Sequence, residues 1–93
     1  MSASSERVAT SERVVTLPVH LHARPAGRIA KAAARYESTV EVVAGERRAN
    51  ARSVLAVMAL GALSGSEVRV LAAGPDAVAA ADEMATILAG AEP

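Results

Sequence analysis

The stretch His20-Leu21-His22-Ala23-Arg24-Pro25-Ala26 brings two imidazoles, a guanidinium and a proline close together in the chain. Neutral imidazole is a nucleophile near neutral pH, and a phosphoryl group on a ring nitrogen is labile enough to be passed onward. A phosphoryl group also needs donors aimed at its oxygens, and the start of a helix offers free N–H groups in a favourable dipole. His22 stands at such a start, because Pro25 suits the first turn of a helix. The fork of Arg24 matches phosphate oxygens better than a lysine would. This spacing makes His22 a candidate phosphoryl acceptor and Arg24 its stabilising neighbour. His20 could form a His-x-His metal pair with His22, but there is no cysteine and no nearby carboxylate, so no metal is expected. No carboxylate partner is placed beside His22 for general acid–base work. The pattern suits a carrier with a phosphohistidine intermediate and no cofactor, rather than an enzyme with its own substrate pocket.

The elements around this stretch follow from periodicity. Met1 to Glu12 has the polar composition of a loose tail, and Arg13-Val14-Val15-Thr16-Leu17-Pro18 reads as a first strand closed by proline. From Pro25, at about 100° per residue, Ala26, Ile29, Ala33 and Tyr36 share one helix face and Arg24, Arg28, Lys31 and Arg35 the other. Thr39 to Val43, a turn at Ala44-Gly45-Glu46 and a return over Arg47 to Ala51 predict a hairpin. Ser53 precedes Val54 to Leu60, a short helix capped by a serine hydroxyl. On that helix Val54, Leu55 and Met58 project together, opposite Ala56, Leu60 and Leu63. Glu67 to Ala72 alternates as a last strand. Gly74-Pro75-Asp76 then opens a helix from Ala77 to Ala89, with Val78, Ala81, Ala85 and Leu88 expected on its buried face. The order β-α-β-β-α-β-α predicts an α+β domain over residues 13–90, with an antiparallel sheet covered by helices on one face and a short end at 91–93.

Composition narrows the function classes. The 93 residues are 52% hydrophobic, with one tyrosine and neither tryptophan nor phenylalanine, so the core must be aliphatic. Without cysteine there is no disulfide framework. Ten basic residues balance ten acidic ones, which argues against a nucleic-acid binder relying on broad phosphate neutralisation. The N-terminus lacks an apolar signal region, and the apolar run Val54 to Leu63 is far shorter than the ~20 residues of a membrane span. A cytoplasmic protein with no membrane insertion is expected.

Three motifs, in order, carry a family resemblance: Leu21-His22-Ala23-Arg24-Pro25-Ala26, then Asn50-Ala51-Arg52-Ser53-Val54-Leu55 with Val57-Met58-Ala59-Leu60-Gly61, then Gly74-Pro75-Asp76-Ala77. Nearly the whole domain resembles HPr, the histidine-containing phosphocarrier of the bacterial phosphoenolpyruvate-dependent sugar phosphotransferase system. The resemblance implies an open-faced β-sandwich with sheet order one, four, two, three. It implies that His22 accepts phosphate on Nδ1 from phosphorylated enzyme I and donates it to enzyme IIA domains of sugar permeases, with Arg24 assisting. It also matches Ser53 to a regulatory serine, the target of a serine kinase that in some bacteria turns the carrier into a partner of a transcriptional regulator. Arg24, Arg28 and Lys31 with Val54, Leu55 and Met58 are the expected docking surface of a monomer, cations steering acidic partners and aliphatic side chains seating them. Two departures stand out: His20 occupies a position where the family often carries glycine, and the usual aromatics of the first helix are absent. A nitrogen-related or dihydroxyacetone branch of the same chemistry would share the His22 motif. A non-catalytic interaction module using Arg47, Arg48 and Arg52 would instead be indifferent to His22.

Overall fold

A computed structural model describes residues 9–93; that part of the expected tail which precedes Ala9 lies outside the described residues. Its elements run β1 (Thr10–Thr16), α1 (Ala23–Ala33), β2 (Thr39–Ala44), β3 (Arg47–Asn50), α2 (Val54–Ala59), β4 (Glu67–Ala73) and α3 (Ala77–Ala89). The four strands form one antiparallel sheet in the order β1-β4-β2-β3, as the resemblance implied. The three helices pack over one face. Thr10, Ser11 and Glu12, expected in the tail, belong to β1. They pair with Ala73, Ala72 and Leu71, so the length of β4 decides where β1 begins. Helix α1 likewise starts at Ala23, ahead of Pro25, because His22 already accepts the Ala26 N–H on its carbonyl at 3.1 Å.

The strands follow the two-residue alternation of a half-buried sheet. Val15 of β1, Val40 and Val42 of β2, and Val68, Val70 and Ala72 of β4 face the helices and are buried. Ile29 of α1, Val57 of α2 and Met84 and Leu88 of α3 close over them, giving the all-aliphatic core that the composition requires. Val43 is buried yet stands outside this core. The register sets it between Arg48 and Arg69, whose aliphatic stems can cover it on the open face. The hairpin closes through Gly45-Glu46, with Gly45 at φ +61°, a positive φ suited to a tight hairpin turn.

Two faces differ from expectation. On α3 the buried stripe is Ala77, Ala80, Ala81, Met84 and Leu88; Val78 is 56% exposed and Ala85 only half-buried. Beyond α2, Leu63 is 67% exposed rather than turned inward, because the chain has already left the helix at Leu60. The last residues also take part in the packing. Ala91 is buried, and its N–H donates to the Leu88 carbonyl at 3.3 Å. Among the described residues no helix is long and apolar enough to cross a membrane.

Candidate functional site

The loop from β1 to α1 is held from both ends. Leu17 donates its N–H to the Ser66 carbonyl at 2.9 Å and accepts from the Gly65 N–H at 2.7 Å. The Ser64 hydroxyl donates to the Pro18 carbonyl at 3.0 Å, and the Leu21 N–H donates to the Ala62 carbonyl at 3.1 Å. Leu21 is buried, so the residue just before His22 is pinned into the core. The loop is thereby fastened to the α2–β4 connection along its length, leaving its backbone little freedom.

His22 is the N-cap of α1, with φ −85° and ψ −172°. Its Nδ1 faces the first turn and accepts from the Arg24 N–H in a long contact of 3.4 Å. An accepting Nδ1 puts the proton of the neutral ring on Nε2 and leaves the Nδ1 lone pair facing the helix start. Pro25 has no N–H and the Ala26 N–H is taken by the His22 carbonyl, so the donors without a backbone acceptor at this terminus are those of Ala23 and of Arg24, the latter facing Nδ1. A phosphoryl group on Nδ1 would meet those N–H groups and the positive end of the helix dipole.

Charge is distributed so that the cations left over lie beside this histidine. Arg13 pairs with Asp82, Arg35 with Glu83, Arg48 with Glu41 and Arg69 with Glu12. Arg47 donates to the Ala59 carbonyl at 3.1 Å and Arg52 to the Tyr36 carbonyl at 2.5 Å. Arg24, Arg28 and Lys31 are exposed on α1, and among the described residues their side chains make no such contact. Arg35, expected in the same stripe, lies beyond the helix and is tied to α3. The proposed Arg47, Arg48 and Arg52 patch is likewise committed to contacts within the domain.

The apolar residues expected on the docking surface differ in exposure. Leu55 is 79% and Met58 38% exposed, whereas Val54 is half-buried against the core. Leu63 is exposed as well, next in sequence to Ser64, which lines the hollow around His22. Ser53 caps α2: its hydroxyl oxygen accepts the Ala56 N–H at 3.1 Å. His20 is exposed and its φ is negative, so its side chain imposes no left-handed strain on the loop. A second, separate concavity lies on the uncovered sheet face around Glu12, Glu41, Arg48 and Leu71, and shares no residue with the His22 hollow. Among the described residues no three His, Asp or Glu side chains gather within metal-binding range.

Comparison with known proteins agrees with this arrangement. Residues 9–90 match the family described as PTS HPr component phosphorylation site. The phosphocarrier protein HPr of Treponema pallidum is 47% identical over 60 residues, 64% of this chain and 68% of that protein. That of Mycoplasma capricolum is 39% identical over 64 residues, covering 69% and 72%. The crystal structure of HPr from Bacillus anthracis superposes with a TM-score of 0.78 at 27% identity, over 86% of this chain and 98% of that one. The sheet order, the motif at the start of α1 and these likenesses agree, and the chain belongs to the HPr family of phosphocarriers of the phosphotransferase system.

Proposed function

We propose that His22 takes the phosphoryl group on Nδ1 from phosphorylated enzyme I and hands it to enzyme IIA domains of sugar permeases. The Nδ1 lone pair attacks phosphorus, the bond from phosphorus to the donor breaks, and the proton on Nε2 stays in place; the return step reverses this on the acceptor. The observation that carries the reading is the contact between Nδ1 and the Arg24 N–H at the open start of α1. Donors already in place meet the phosphoryl oxygens without reorganisation. The Arg24 guanidinium, engaged nowhere else among the described residues, swings onto the same oxygens. The α1 cations that make no ion pair among the described residues steer an acidic partner, and Leu55 and Met58 seat it.

Intact mass after incubation with phosphoenolpyruvate and a catalytic amount of enzyme I from the same organism tests this, with His22→Ala in parallel. A gain of one acid-labile phosphoryl group, absent in the variant, is the expected result. No gain in the unaltered protein would overturn the reading.

A further inference from the structure

We infer that His20 is a positioning residue for the acceptor imidazole: its ring walls the His22 ring into the orientation that keeps Nδ1 against the start of α1. The inference rests on the reading of His22 as acceptor and adds a further side chain to that site. The two ring centroids are 4.8 Å apart with planes tilted by 47°, the one aromatic pair found among the described residues. The same two residues are joined through the backbone, the His22 N–H donating to the His20 carbonyl at 2.9 Å.

Hydrogen bonds alone hold the acceptor ring poorly. Nδ1 has only the 3.4 Å contact from the Arg24 N–H, longer than the usual range of about 2.7–3.2 Å. Nε2 is buried and has no hydrogen-bond partner among the described residues. Rotation of the side chain about its Cα–Cβ bond would carry Nδ1 away from the helix start, and no strong bond opposes it. Packing must therefore set the orientation. The hollow around His22 is lined by Pro18, Val19, His20, Ser64 and Pro93, and of these only His20 presents an aromatic face. Removing that wall lets the ring sample orientations in which the nucleophilic lone pair points away from the donors. An aromatic contact of this kind biases a population by about two- to tenfold.

The test uses the full chain with His20→Ala and His20→Phe. Three-bond couplings and nuclear Overhauser contacts of the His22 side chain report its rotamer in the unphosphorylated protein. Single-turnover phosphorylation by enzyme I reports the rate constant at saturation and the half-saturating concentration separately. In His20→Ala the couplings are expected to average and the saturating rate to fall about two- to tenfold, with half-saturation unchanged. His20→Phe restores both, because it keeps an aromatic wall without an imidazole. Unchanged couplings in His20→Ala would overturn the inference, as would an effect confined to half-saturation, which would make His20 a partner contact. A His20→Phe protein that behaves like His20→Ala would overturn it too. The couplings need no phosphoryl transfer, so they judge His20 even if His22→Ala shows that the phosphoryl group resides elsewhere.

Discussion

The Ser38 hydroxyl donates to the Asp76 carboxylate at 2.5 Å, and the N–H groups of Ser38 and Glu37 donate to the same carboxylate at 2.9 and 3.0 Å. Asp76 is the cap residue of α3, yet its side chain serves the turn before β2 instead of its own helix. The turn into β2 and the start of α3 are thus fastened together.

That point and a second cluster predict how stability depends on pH. The Ser38 hydroxyl bond, followed by the Glu37 N–H bond, holds the Asp76 carboxyl below the ordinary carboxylate range. The Tyr36 hydroxyl bond, assisted by Arg35, does the same for Glu83. Carboxyls lowered on folding contribute stability that is complete above their unfolded values of about 4 and is lost as pH falls through the folded values. Bonding to Glu83 raises the Tyr36 phenol, so its contribution is complete below about pH 10 and is lost as pH rises through the folded value. Urea midpoints measured across this range should fall at both ends. Asp76→Asn should flatten the acid limb, and Tyr36→Phe should flatten the alkaline one.

Glycine substitutions should act in opposite directions. Gly74 has φ +146°, and a Cβ there would stand 2.5 Å from the Ser38 Oγ and 2.6 Å from its Cα, so backbone would have to move. Gly74→Ala should cost on the order of 3 kcal/mol. Gly27 lies within α1 with open space around it, so Gly27→Ala should stabilise by about 0.5–1 kcal/mol. Thermal unfolding of both variants checks this pair.

Capping and docking separate at Ser53. Ser53→Ala removes the acceptor for the Ala56 N–H and should cost about 1 kcal/mol while leaving phosphorylation of His22 nearly unchanged. Ser53→Asp retains an acceptor but adds negative charge beside the surface proposed to receive acidic partners. It should keep the thermal midpoint and raise the concentration of enzyme I needed for half-maximal transfer.

Leu55→Glu should raise that concentration about tenfold with no loss of stability, since the side chain is already in water. Val57→Ala, next but one in sequence and fully buried, should destabilise by about 1–3 kcal/mol. If both variants lost stability equally, the exposed apolar patch would be structural and not a docking surface.

Most of the architecture was legible because β-branched runs mark β2, β4 and the end of β1, and the turn at Gly45 marks the return strand β3; only the polar start of β1 gave no signal. Thr10, Ser11 and Glu12 carry no strand signal of their own and extend because β4 offers them partners. The phase of α3 was misread for a related reason: Ala-rich on all sides, the helix shows little contrast between faces, and the position of Met84 under the sheet settles what the pattern could not. His22, Arg24 and the helix start were legible from residue types and spacing. The committed state of Arg35, Arg47, Arg48 and Arg52, and the contact of His20 with the His22 ring, arise from tertiary packing, which a one-dimensional pattern does not encode.

The central place of β4 in the sheet governs how the domain can be synthesised. β1 leaves the ribosome first but pairs only with β4, and the His22 loop between them is fastened by Ala62, Ser64, Gly65 and Ser66. Until that part of the chain has emerged, the nascent segment has neither a neighbouring strand nor a clamp for its loop. Closing so long a loop is slow compared with forming the β2–β3 hairpin or a helix. Carrier competence should therefore appear in one late step as β4 docks, so truncated translation products ending before β4 would not acquire the phosphoryl-accepting geometry and would not compete for enzyme I.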